Sequence, residues 1–168
     1  IYVKVFVSEE RFEVITAEHS FHGRTLATMT ATGQTKYQKG FEPLAPGFRY
    51  VPLNDLAALR EAVGPKTAAV MLEPIQGEGG VNPCTLQYMQ LARQLCSEAG
   101  IPLILDEVQT GIGRTGKWFA FQHYGIKPDV VTMAKALGGG VPIGCMIADE
   151  RTAQGFEPGT HGTTFGGG

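Results

Sequence analysis

Lys135 follows an apolar run, Asp129-Val130-Val131-Thr132-Met133-Ala134, and stands just before Ala136-Leu137-Gly138-Gly139-Gly140. Lysine is among the residues least often buried without a partner, so an amine at the end of a strand-like run is out of the ordinary. A second apolar run, residues 101–105, ends in Asp106-Glu107. An amine and a carboxylate at two strand ends suit an aldehyde cofactor, which needs a Schiff-base lysine and an anionic partner for its ring nitrogen. A lone lysine after a strand is ordinarily a snorkelling surface residue; here the neighbouring motifs reverse that reading.

Glu73-Pro74-Ile75-Gln76-Gly77-Glu78-Gly79-Gly80 closes a third apolar run, 67–72. Pro74 ends strand pairing and the glycines let backbone approach a ligand, so two glutamates and a glutamine there form a polar pocket wall rather than a plain loop. Ser20-Phe21-His22-Gly23-Arg24-Thr25 joins an aromatic ring to an arginine. Taken alone, Phe21 reads as core and Arg24 as solvated, but a guanidinium fork also clamps carboxylates bidentately. Thr160-His161-Gly162-Thr163-Thr164-Phe165-Gly166-Gly167 has the hydroxyls and glycines of an anion site, or of a glycine-rich turn. Gly111-Ile112-Gly113-Arg114-Thr115-Gly116, with Asp129 further on, outlines a dinucleotide fingerprint. Two carboxylates, Asp106 and Glu107, stand between the strand and those glycines and would repel a pyrophosphate, which argues against a nicotinamide dehydrogenase.

These residues need elements to hold them. Residues 12–17, 48–53, 67–72, 101–105, 130–133 and 142–148 read as strands. Asn54 is a candidate cap for a helix carrying Leu56, Leu59 and Val63, ended by Gly64-Pro65. Between 85 and 99, Leu86, Met89, Leu91, Ala92, Leu95 and Cys96 recur near the 3.6-residue period, and Gly100 supplies the stop. A helix is expected to start near Arg24 and a short one to span 118–124. Near-continuous apolar strands alternating with helices indicate an α/β domain of three layers, α/β/α, around a mostly parallel sheet. Ligands of such sheets sit beyond the carboxyl ends of the strands, where Glu73, Asp106, Glu107 and Lys135 all fall.

The chain has 168 residues, 43% hydrophobic and 18% charged, the proportions of a globular domain. A net charge of −2 gives no electrostatic case for nucleic acid or an anionic membrane. Three cysteines, odd in number and widely spaced, read as free thiols of a reducing compartment. The histidines show no metal spacing, and no metal is expected. Without a signal peptide or an apolar run of ~18 residues, the expected location is cytoplasmic.

Taken together, SFHGRT at 20–25, EPIQGEGG at 73–80, LILDEVQTGIGRTGKWFA at 103–120, DVVTMAKALGGGVPIG at 129–144 and PGTHGTTFGG at 158–167 resemble the class III pyridoxal-phosphate aminotransferases, on the acetylornithine and ornithine side of that family. The resemblance covers residues 11–167. It implies the large, cofactor-binding domain of a fold-type-I enzyme with pyridoxal 5'-phosphate as cofactor. The implied reaction is transamination between N-acetylornithine and 2-oxoglutarate in arginine biosynthesis. Ornithine, succinylornithine and 4-aminobutyrate are the alternative donors, and a non-catalytic fragment is the alternative of another class.

The resemblance also implies roles. Lys135 would hold the cofactor covalently and Asp106 would face its ring nitrogen. Phe21 would stack on the ring, with Glu107, Val108 and Gln109 among the cofactor-binding residues. Arg24 would bind a substrate carboxylate and Thr163 would sit at the substrate mouth. Thr164 would reach the phosphate in the neighbouring subunit of a homodimer. Glu78 would pair with an arginine from a later region. The family is more than twice this length, so residues 1–168 are expected to be a single partial domain, lacking the N-terminal segment and the C-terminal small domain and inactive alone.

Overall fold

The computed structural model describes residues 10–159 and residue 162. Its strands are β1 (Glu13–Ala17), β2 (Phe48–Val51), β3 (Thr67–Leu72), β4 (Ile75–Gln76), β5 (Asn82–Pro83), β6 (Leu103–Asp106), β7 (Val130–Met133) and β8 (Cys145–Ala148). Six of them form one sheet in the order β2-β1-β3-β6-β7-β8. All pairings in it are parallel except β7 with β8. β4 and β5 make a small antiparallel pair of their own. The expected mostly parallel α/β sheet is present, and its two central strands, β3 and β6, are almost wholly buried.

β3 is buried at every position but Met71. Successive side chains of a strand point to opposite faces, so both faces of the sheet are covered there. Val70, Leu72, Leu103 and Leu105 are fully buried and share one core with Leu59, Tyr88, Met89, Ala92 and Cys96 from two helices. Each such aliphatic side chain stabilises the fold by roughly 1.5–3 kcal/mol relative to exposure, which makes this core a firm base for the loops above it.

The two helices are α3 (Leu56–Ala62) and α4 (Leu86–Ala99), which pack on each other; α3 also meets β2, and α4 meets β3 and β6. In α4 the Thr85 hydroxyl caps the start by accepting from the Tyr88 N–H at 3.2 Å, and Gly100, at φ 67°, closes the end in the left-handed region that favours glycine. Shorter helices are α1 (Leu26–Ala31), α2 (Thr35–Gln38) and α5 (Glu150–Ala153).

Three local expectations are corrected. Asp55, not Asn54, caps α3, its Oδ1 accepting from Ala58 N–H at 2.9 Å. Asn54 instead takes φ 65° and ties two segments, donating to Pro83 O at 3.1 Å and accepting from Thr85 N–H at 2.8 Å. Both residues are cap-forming types, and the left-handed backbone at Asn54 excludes the extended geometry a cap needs. The short helix after Trp118 is a single 3-10 turn, Ala120–His123. The last strand is confined to Cys145–Ala148 and runs antiparallel at the sheet's edge. No described helix is long and apolar enough to cross a membrane, and no metal-ligating cluster occurs among the described residues.

Candidate active site

β1, β3, β6 and β7 are neighbours in the sheet, and their carboxyl ends deliver the residues on which the chemistry would rest. β1 leads into Ser20-Phe21-His22, β3 into Glu73, β6 ends on Asp106, and β7 passes through Ala134 to Lys135. Phe21, His22, Gly23, Glu73, Asp106 and Lys135 line one cavity of 280 Å³ together with Val108 and Gln109. Val108, Gln109 and Lys135 also border a second cavity of 400 Å³, with Gly77, Arg114 and Thr115 on its other walls. Lys135 therefore stands at the rim between two spaces.

Asp106 is only 6% exposed. Its Oδ1 accepts from Val108 N–H at 3.1 Å and from the Thr132 hydroxyl at 3.3 Å. Its Oδ2 is 2.8 Å from His22 Nδ1, and the imidazole side chain is fully buried. An ionised carboxylate only accepts, so the Nδ1 facing it carries the proton. A carboxylate offers about four lone-pair sites; these three donors leave one on Oδ2, beside the cavity. His22, which the sequence did not single out, joins the candidate site through this contact. Its place inside the SFHGRT motif, beside Phe21, was the available signal.

Glu73 crosslinks the loops. Its Oε1 accepts from Phe21 N–H at 2.7 Å and its Oε2 from Gly77 N–H at 3.3 Å. Burial raises its carboxyl above the ordinary 4.5, opposed by the Phe21 N–H bond and then by the nearby His22. Gly77 also lies close against Gln109: a Cβ there would come within 2.5 Å of Gln109 Oε1 and push that amide aside. Gln109 thus lies against this loop and lines both cavities.

Lys135 follows a buried strand but is itself exposed. It leaves the strand at Ala134 and opens a 3-10 turn, Lys135–Gly138, with its own φ at 45°. Left-handed backbone at a non-glycine residue costs on the order of 1–3 kcal/mol and collects at functional positions. The turn lifts the amine out of the sheet to the cavity rim.

Glu107 departs from its expected role. It is 1% exposed and borders neither cavity. Its Oε2 accepts from Ala120 N–H at 2.7 Å and the Thr110 hydroxyl at 3.1 Å, and its Oε1 from Phe121 N–H at 2.9 Å. Consecutive residues of a strand face opposite ways, so Asp106 toward the cavity sends Glu107 away from it, where it pins the glycine-rich loop. Burial raises this carboxyl too, against the pull of the Ala120 and Phe121 N–H bonds. Glu107→Gln should destabilise the fold by about 1–3 kcal/mol, because its amide nitrogen must face a backbone donor; the urea midpoint measures it.

The glycine-rich segment is not a nucleotide site. The first element after Gly116 is the 3-10 turn Ala120–His123, not an α-helix. Asp129, in the position of a ribose-binding acid, is held by Arg93 at 2.6 Å and by Leu103 N–H at 2.7 Å.

Arg24 and Glu78 are both exposed and approach the same aromatic ring. The Arg24 guanidinium lies 4.6 Å from the centroid of Tyr37 and 5.5 Å from that of Phe21. The Tyr37 hydroxyl donates to Glu78 Oε1 at 2.6 Å. Glu78 also borders a third cavity, of 640 Å³, which is lined by neither Lys135 nor Asp106. Thr163 and Thr164 lie outside the described residues.

A carboxylate with one open acceptor site, an amine at the rim, and the side chains of Phe21 and Val108 on the cavity wall fit a flat, basic, carbonyl-bearing heterocycle. The sheet and this donor set define a cofactor domain of the amine-handling kind, and comparison with known proteins gives the family. The chain belongs to the class III aminotransferases, whose family model, aminotransferase class-III, matches residues 2–168. It is 62% identical to the acetylornithine aminotransferase of Myxococcus xanthus over 94% of this chain and 39% of that protein. With the acetylornithine aminotransferase of Methanocaldococcus jannaschii the identity is 55%, over 99% of this chain and 42% of that one. The fold matches the ornithine aminotransferase of Toxoplasma gondii with a TM-score of 0.90 and 36% identity, over 98% of this chain and 39% of that one; PLP occupies that enzyme's active site in part. The chain thus spans about 40% of the length of the relatives it matches.

Proposed function

We propose that this chain is the cofactor-binding part of an acetylornithine aminotransferase, which passes the amino group of N-acetylornithine to 2-oxoglutarate. The observation that carries the reading is the convergence of Lys135, Asp106, His22 and Phe21 on one cavity above four adjacent strands. The identity of 55–62% to acetylornithine aminotransferases supports the donor. Pyridoxal phosphate, when bound, supplies a carbonyl carbon for amines and an electron-accepting ring. The reading includes the homodimer implied by the family and a reducing, cytoplasmic setting, with which the free, buried Cys84 and Cys96 agree.

The chain's own residues have separable tasks. Asp106 holds a proton at the ring nitrogen, since opposite charges favour each other's ionised forms. Val108 N–H, Thr132 and His22 fix the carboxylate so that its open site points one way. Phe21, tied down by Glu73, covers the site and excludes water. Lys135 would hold the cofactor through its amine and, as a free amine, would move a proton at the substrate carbon that carries the amino group. Arg24 takes a substrate carboxylate in its fork.

The full-length protein, assayed with N-acetylornithine, ornithine, succinylornithine and 4-aminobutyrate against 2-oxoglutarate, tests this; a clear preference for any of the last three overturns the donor. Arg24→Lys should raise KM for the carboxylate substrate much more than it weakens cofactor binding, because lysine keeps the charge and loses the fork. Titration of the variant with pyridoxal phosphate, alongside its steady-state kinetics, measures both.

A further inference from the structure

We infer that Tyr37 sets how strongly this site recognises a substrate carboxylate, by keeping Glu78 off Arg24; the inference rests on the carboxylate-binding role proposed for Arg24. Tyr37 touches each of the residues concerned. Its ring meets Phe21 edge-on at 5.2 Å and an interplanar angle of 75°. Arg24 lies over that ring at 4.6 Å, and Lys36 Nζ approaches it at 4.7 Å. Its hydroxyl holds Glu78 at 2.6 Å.

A guanidinium stacked on aromatic rings keeps its in-plane N–H fork available. The ion pairs among the described residues are His22–Asp106 and Arg93–Asp129, so Arg24 is in neither. Glu78, held at the hydroxyl of the ring on which Arg24 stacks, is an internal carboxylate that could compete for that fork. The Tyr37 hydroxyl gives it another partner. Tyr37 is therefore a specificity-determining residue acting through Arg24: its ring orients the cation and its hydroxyl diverts the anion.

The assignment predicts coupling between Tyr37 and Glu78. Tyr37→Phe keeps the ring and frees Glu78 to pair with Arg24. An exposed ion pair of ~0.2–1 kcal/mol corresponds to glutarate binding about 1.4- to 5-fold more weakly. Glutarate is the probe because it carries carboxylates and no reactive carbonyl. Calorimetric titration of the full-length holoprotein with glutarate reads the affinity, and its visible absorbance checks that the cofactor environment is retained.

In a Glu78→Gln background, Tyr37→Phe should leave glutarate affinity unchanged, since no competing carboxylate is present. Equal weakening in both backgrounds, or none in the wild-type background, overturns the proposal. Arg24→Lys is the control for the underlying reading. If it weakens glutarate while Tyr37→Phe does not, only the role of Tyr37 fails; if Arg24→Lys itself has no effect, the role of Arg24 fails first.

Discussion

Borohydride reduction of the full-length protein with pyridoxal phosphate bound is expected to fix the cofactor on Lys135, and Lys135→Ala is expected to remove turnover. Lys135 is the lysine that borders both cavities, and Lys117 and Lys127 border neither. The alanine variant loses the group that holds the cofactor and the group that moves the proton. Positioned acid–base catalysis alone is worth roughly 10²–10⁴ in rate, so the loss should be at least of that order. Peptide mapping after reduction decides the assignment: a label on Lys117 or Lys127 would place the site elsewhere.

Asp106→Asn is expected to keep the cofactor and to slow transamination severely. The asparagine oxygen can still accept from Val108 N–H and Thr132. Its amide nitrogen, however, meets the donor His22 Nδ1 and carries no charge to hold a proton on the ring nitrogen. Breaking a buried charge pair costs about 3–5 kcal/mol, a rate loss on the order of a few hundred- to a few thousand-fold. Stopped-flow absorbance of a single half-reaction measures it apart from substrate release. A variant that kept most of its rate would show that Asp106 does not hold that proton.

The strand ends were legible because β3, β6 and β7 are apolar runs that stop abruptly at a charged or glycine-rich segment. α4 was legible for a similar reason: its periodicity is regular and Thr85 and Gly100 bracket it. His22 was not, because a single histidine beside a glycine carries no sign of a carboxylate 84 residues away. Glu107 was grouped with Asp106 because they are adjacent, whereas the alternation of a strand separates neighbours. The exposure of Lys135 was not legible, because the left-handed turn that lifts it out of the buried run leaves little trace in residue type. Tyr37 lies on a four-residue helix with no pattern of its own, and its partners come from segments that meet only in the fold. The expected threonine contacts, Thr163 and Thr164, fall outside the described residues.

The order β1-β3-β6-β7 at the centre of the sheet also governs how the protein reaches its native state. Phe21 and Glu73 are 52 residues apart, and His22 and Asp106 are 84 apart, yet each pair is in hydrogen-bonding contact. Each long loop must close before its contact can reward the closure, and topologies rich in such contacts fold slowly. The site therefore has no local nucleus of its own and comes into being only when the parallel pairings on both sides of β3 are complete. Cofactor capture during refolding should consequently lag behind the appearance of helix, and its rate should respond to substitutions in β3 that touch no ligand.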